Sequence, residues 1–219
     1  MIFERHKRLL GSCFERIRRA SFLVAGLGGL GSYSAEILTR MGAKKLFLVD
    51  YKKVDEPDLN RQVLYFAEDV GRSKVEVARD RLLRIRGDVE IEAMEKRIDD
   101  SFDLPEGVDV VLDCLDNFES RFVLSRKAWD KKIPLVHAGV KEYSIQITTI
   151  LPGKTQRLEE VFKGVMDEET PQVFPPSVAV ASALQVSEAV NAICGRPLSA
   201  GKLVIFDLFD LSMDFVKLS

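Results

Sequence analysis

Cysteine is scarce in this sequence: three residues, Cys13, Cys114 and Cys194, widely spaced and odd in number. That pattern excludes a disulfide framework and a paired CxxC zinc site. Long apolar runs are also missing, since none approaches the roughly 18 residues a membrane span requires. The opening MIFERHKRLLGS carries no apolar core of a secretory leader, so no leader is expected. Charge of one sign is absent too: 32 Lys and Arg face 34 Asp and Glu, a net charge of −2. No global field then selects nucleic acid or a membrane surface, and any anion site must be local. With 14 Gly and 8 Pro the chain is neither collagenous nor of low complexity. Only three Asn and five Gln stand beside that density of charge, a bias found in proteins of hot-growing organisms. What is present is enough apolar material, 46% of 219 residues, to bury a core as one domain, residues 1–219. A cytoplasmic location is the default expectation.

Along the chain the hydrophobic period switches repeatedly between helix and strand. Residues 1–20 read as a helical arm, with Leu9, Leu10, Phe14 and Ile17 at helical spacing and a break at Gly11 and Ser12. SFLVAG from Ser21 is a short apolar run, the stretch from Gly26 to Ala43 is helical, and KKLFLVD from Lys44 is a second run. Strand, glycine turn, helix, strand is the unit of a parallel sheet with a right-handed crossover. Further on, Val75, Ala78, Leu82 and Ile85 share one helix face, VEIEAMEKRI and VDVVLDCLD read as strands, and Asn117 opens another helix. IPLVHAGV and YSIQITTILP are strands, and SVAVASALQVSEAVNAICG is a helix of small residues stopped at Gly195. The final KLVIFDLFDLSMDFVKL alternates as antiparallel strands. The segment 153–176 loses its period and gathers charge and proline, so it reads as an exposed, mobile crossing segment. The predicted class is α/β: a Rossmann-like, mostly parallel sheet flanked by helices, with antiparallel strands at the C-terminal end.

Gly26, Gly28 and Gly31 satisfy G-x-G-x-x-G directly after a strand, with Gly29 inside the run. Such a turn lets backbone approach a phosphate at a helix N-terminus. Asp50 ends the next strand, 19 residues beyond Gly31, where a carboxylate can accept hydrogen bonds from a ribose. This fingerprint says nucleotide without saying which. Arg61, in DLNRQ, and Lys74, opening the next helix, are cations that a nicotinamide enzyme has no need to face toward phosphates. An enzyme expelling pyrophosphate does need them; the ordinary alternative for each is a solvated surface position. Asp116 follows a buried strand at the edge where open α/β sheets place ligands, and a lone carboxylate there suits Mg²⁺. Its ordinary alternative is a helix N-cap.

Taken together, GLGGLGS, Asp50, DLNRQ, VGRSKVEVA, DCLDNFESR and PLVHAGV occur in the order seen in the ThiF/MoeB/HesA family, the bacterial relatives of ubiquitin-activating E1 enzymes. The resemblance runs from about residue 3 to residue 195. It implies an ATP-dependent adenylyltransferase in which the C-terminal carboxylate of a ubiquitin-like sulfur-carrier protein attacks the α-phosphate, releasing pyrophosphate. Gly26, Gly28, Gly29 and Gly31 would approach the phosphates and Asp50 would hold the ribose. Asn60, Arg61 and Lys74 would meet the triphosphate, and Asp116 would hold Mg²⁺. Arg5 stands where the family places an arginine that reaches the partner subunit's site, so a homodimer is implied, although His6 replaces the usual glutamine beside it.

Two family features are missing. Arg157 and Glu160 stand where relatives carry the first zinc cysteines, and no second pair follows, so no zinc is expected. Between Cys114 and Cys194 no cysteine is available for persulfide or thioester chemistry; Cys114 and Cys194 read as packed residues. His137 and Trp129 read as packing residues, and RDRLLRIR at 79–86 as a solvated helix face rather than a nucleic-acid patch. Three other functions compete with the first. One is ATP-dependent activation of a small-molecule or tRNA-nucleoside carboxylate, as in the dehydratase branch. Another is an NAD-dependent oxidoreductase, which leaves Arg61, Lys74 and Asp116 unexplained. The last is a non-catalytic E1-like binding partner.

Overall fold

The apolar runs become strands because each can be covered on both faces. In the computed structural model of the chain, which describes residues 2–165 and 172–218, β1 (Ser21–Ala25), β2 (Lys45–Val49), β4 (Val110–Asp113) and β5 (Leu135–Lys141) form the centre of one sheet. Phe22 to Ala25 and Val110 to Asp113 are buried without alternation, as expected of parallel strands with helices on both sides. β3 (Glu90–Met94) closes one edge, and β6 (Ser144–Ile150), β7 (Lys202–Asp207) and β8 (Ser212–Lys217) extend the other as antiparallel strands. The strand order is β3-β2-β1-β4-β5-β6-β7-β8, parallel from β3 through β5.

On one face α3 (Gly29–Met41), α4 (Lys74–Ile85) and α7 (Pro175–Ile193) pack over a cluster that includes Phe22, Val24, Leu46, Leu112, Ala35, Leu82 and Val186. On the other, α5 (Phe118–Asp130) and the 98–108 segment cover Leu23, Phe47, Val111 and Leu135. Each fully buried aliphatic side chain contributes roughly 1.5–3 kcal/mol from removal of apolar surface from water. α7 begins with proline, whose missing N–H costs nothing in a first turn. It is fastened to the sheet by Gln185, whose amide donates to the carbonyls of Asp113 at 2.8 Å and Val136 at 3.0 Å. Asn117 caps α5, accepting from the Ser120 N–H at 2.9 Å, so Asp116 just before it is left free of capping.

Three expectations need correction. Cys13, on α2 (Ser12–Ile17), and Cys194, just past α7, are joined as a disulfide with their Cα atoms 5.5 Å apart. A separation of 181 residues hides that pairing from any spacing argument. The crossing segment is not uniformly exposed. Leu158, on the short helix α6 (Leu158–Val161), and Phe162 one turn on are buried against the α5 face. Residues 166–171 of the expected mobile stretch lie outside the described residues. The basic stretch at 79–86 is not wholly solvated either: Arg86 is buried and donates to the carbonyls of Thr39 and Ala43. The N-terminal arm has its break at Gly11, but α1 (Glu4–Leu10) buries no side chain fully and Leu9 is exposed.

Candidate active site

Strand order reverses between β1 and β4, so their following loops diverge and leave a crevice beyond their carboxyl ends. A cavity of about 690 Å³ lies there. Gly26, Gly28 and Gly29, Asp50, Arg61, Lys74 and Asp116 all line it, although they come from three separate strand-to-helix connections. Gly31 stands behind the lining, where a Cβ would meet the Gly26 carbonyl oxygen at 1.8 Å. Gly26 has φ +86°, and a Cβ there would lie 2.7 Å from the Cys114 carbonyl oxygen; no other residue fits either place.

Asp50 lines the crevice where β2 ends. One carboxylate oxygen accepts the Leu27 N–H at 2.7 Å and the other the Lys52 N–H at 2.8 Å, tying the glycine loop to the end of β2. Each oxygen keeps a lone pair for a ligand hydroxyl. Lys74 is buried, its ammonium 2.9 Å from Asp58 Oδ2. Asp58 also accepts from Gln62 Nε2 at 2.6 Å and lies 4.0 Å from the Arg61 guanidinium. Gln62 lines the cavity with its Nε2 toward Gly28, and its Oε1 is buried without a partner.

Asp116 is exposed at the mouth. Burial opposes its ionisation, but Lys52, hydrogen-bonded at 2.7 Å, and Asn117, at 3.1 Å, hold its carboxyl below the usual range. Beneath it lies a buried Asp113–His137–Arg121 group. Arg121 donates to the carbonyls of Leu115 and Ala138, and His137 Nδ1 lies 2.7 Å from Asp113 Oδ2. Burial and then the Arg121 charge push the His137 pKa down, against the Asp113 carboxylate, which raises it, and Arg121 Nη1 lies 2.9 Å from His137 Nδ1 and 3.3 Å from Nε2. Burial also works against the Asp113 charge, yet Arg121 and His137 hold that carboxyl low. This group pins the loop that carries Asp116. Cys114 is buried, and burial pushes its thiol pKa far up, so it is no thiolate near neutral pH.

Besides Gly31, two residues expected at the site are not in the cavity lining. Asn60 is exposed and accepts from Arg61 Nη1 at 2.8 Å. Arg5 lies on α1, exposed and outside the lining. Conversely, Lys52, Asp58, Gln62 and Arg121 line the cavity and were not singled out from sequence. The one sequence signal for Asp58 is its place at the head of DLNRQ, and its partner Lys74 is evident only in the fold.

The ThiF family model matches residues 6–219. The chain belongs to the ThiF family. Among curated relatives, the molybdopterin-synthase adenylyltransferase of Salmonella typhimurium is 32% identical over 213 residues, covering 93% of this chain and 85% of that protein. The ubiquitin-like modifier-activating enzyme 5 of Caenorhabditis elegans is 40% identical over 157 residues. That match takes in 65% of this chain but only 37% of the enzyme, so the chain spans little more than a third of that relative's length. A solved structure of E. coli MccB with ATP superposes with a TM-score of 0.89 at 21% identity, covering all of this chain and 71% of that one. At that identity the likeness speaks for the fold. As a ThiF-family member, this chain has the mostly parallel sheet with antiparallel C-terminal strands that its hydrophobic pattern predicts. No helix among the described residues is long and apolar enough to cross a membrane.

Proposed function

We propose that this ThiF-family chain is an ATP-dependent adenylyltransferase that activates the C-terminal carboxylate of a ubiquitin-like sulfur-carrier protein. The observation that carries the reading is the convergence of the glycine loop, Asp50, Arg61, Lys74 and Asp116 on one cavity at the sheet's switch point. A dinucleotide oxidoreductase would account for the glycines and Asp50 alone.

The cavity fits the nucleotide on its own terms. Gly28 lines the cavity at the start of α3, where a Cβ would meet nothing closer than Gln62 Nε2, at an ordinary contact distance of 3.7 Å, and a helix N-terminus there suits a phosphate. Among the described residues no group of three or more His, Cys, Asp or Glu side chains could hold a metal. A single carboxylate at Asp116 matches Mg²⁺ held through phosphate oxygens and water instead of an all-protein cage. When bound, the ion supplies positive charge to the phosphates.

In this reading Gly26, Gly28 and Gly29 approach the phosphates, Gly31 permits the loop's close packing, and Asp50 accepts the ribose hydroxyls. Arg61 and Lys74 place two cations where charge grows as the bond from the α-phosphorus to its bridging oxygen breaks. Asn60 acts through Arg61, by holding its guanidinium. No general base is required, because a carboxylate is already ionised at neutral pH. Catalysis is then positioning and electrostatics. Arg5 reaches a nucleotide only across a two-fold homodimer, which completes the site in this proposal.

The test is pyrophosphate exchange into ATP, with magnesium, in the presence and absence of small ubiquitin-like proteins from the same genome. Exchange that depends on one carrier and on its terminal glycine supports the reading. No exchange with any carrier, together with stronger thermal stabilisation by NAD⁺ than by ATP, would replace it with the oxidoreductase.

A further inference from the structure

Lys52 takes no part in the adenylation chemistry as described, yet it holds the acid on which that chemistry depends. Its Nζ lies 2.7 Å from Asp116 Oδ2, while Asn117 Nδ2 occupies Oδ1 at 3.1 Å. Lys52 follows β2 and Asp116 follows β4, so the pair spans the mouth of the crevice over the glycine loop of β1 between them. The Lys52 backbone is fixed at its base by the bond from its N–H to Asp50. Both side chains stay accessible, 44% and 67% exposed, so the pair can open without rearranging the core.

We propose that Lys52 is a built-in counter-ion for Asp116 that a divalent metal must displace, and that it thereby sets how strongly nucleotide binding depends on metal. The proposal rests on the nucleotide reading above. Without metal, the ammonium cancels the Asp116 charge, so a polyphosphate entering the crevice is not repelled. With metal, the ammonium and the ion repel each other across the same carboxylate, and that repulsion drives Lys52 off. Losing the ammonium therefore acts in opposite directions on the two states. A bare Asp116 repels metal-free ATP but is freely available to Mg²⁺.

Lys52→Gln removes the charge, and Lys52→Arg keeps it. ATP binding is measured by calorimetry for the wild type and both variants, once in EDTA and once in excess Mg²⁺, with no carboxylate substrate present. An exposed ion pair is worth a factor of up to about five in an equilibrium constant. Lys52→Gln should weaken metal-free ATP binding by up to about fivefold and leave binding with Mg²⁺ unchanged or tighter. The ratio of the two affinities should rise by about two- to fivefold, and Lys52→Arg should keep the wild-type ratio. If ATP binds but Lys52→Gln shows the wild-type ratio, the counter-ion role is overturned while the adenylation reading stands. If the wild type binds no ATP in either condition, the adenylation reading fails and the counter-ion role fails with it.

Discussion

Replacing Asp58 by alanine should destabilise the nucleotide-free protein far more than an ordinary loop substitution. Asp58 is the counter-charge of Lys74, whose side chain is only 4% exposed, and it also accepts from Gln62 Nε2 and the Asp55 N–H. Removing one partner of a buried ion pair costs about 3–5 kcal/mol, because the other charge is left without solvent or partner. Asp58 itself is 14% exposed on the cavity wall, so water can reach part of the gap. A loss of about 2–3 kcal/mol is therefore expected. For a chain of this size that corresponds to a fall in Tm of about 4–12 °C. The assay is thermal unfolding followed by circular dichroism, with and without ATP. Because the triphosphate would supply the missing negative charge beside Lys74, ATP should raise the Tm of Asp58→Ala more than that of the wild type. Adding Lys74→Met to the variant should recover stability, since the orphaned charge is then gone. A Tm within about 1 °C of the wild type would refute the pairing argument. A large loss that Lys74→Met fails to relieve would refute it too.

Other outcomes follow from the same geometry. Unfolded without reductant, the chain should titrate one thiol, Cys114, and three after reduction; three thiols at the outset would contradict the Cys13–Cys194 bond. His137 is held neutral in the fold below its ordinary value of 6.5, so as pH falls below about 6.5 the unfolded chain takes up a proton that the native one does not. Stability should then decline toward pH 5 with a slope of at most about 1.4 kcal/mol per pH unit, and His137→Gln should flatten that decline in urea titrations. An unchanged slope would show that this ring does not set the acid limb. Asp116→Ala and Arg61→Ala should each cut pyrophosphate exchange by about 10²–10³ with the fold intact, whereas Cys114→Ala should change it little. Full exchange by Asp116→Ala would remove magnesium from that residue.

The parallel half of the fold was legible because β1, β2, β4 and β5 are short apolar runs separated by helical periods, a pattern with few topological solutions. The antiparallel extension was legible from alternation in the last strands and from the absence of a helix between β5 and β6. Local reading failed where distant residues decide the outcome. Cys13 and Cys194 meet only because α2 and the end of α7 share one face of the sheet. Leu158 and Phe162, four apart in a charged stretch, form a one-turn apolar face too short to register as a helix. At the site, residues fixed by backbone demands, such as Gly26, were the easiest to find. Lys52 and Asp58 were harder, because a surface lysine and a loop aspartate are commonplace until the folded chain sets them opposite Asp116 and Lys74.

The central claim is attack by a carboxylate on the α-phosphate of ATP. The most direct measurement follows label from ATP carrying it at either the α- or the γ-phosphate, with magnesium and a carrier protein ending in glycine. Label from the α-position should appear on the carrier and be lost when its terminal carboxylate is amidated, while label from the γ-position should appear in pyrophosphate. Label from the γ-position released as inorganic phosphate, with none passing from the α-position to the carrier, would contradict the account.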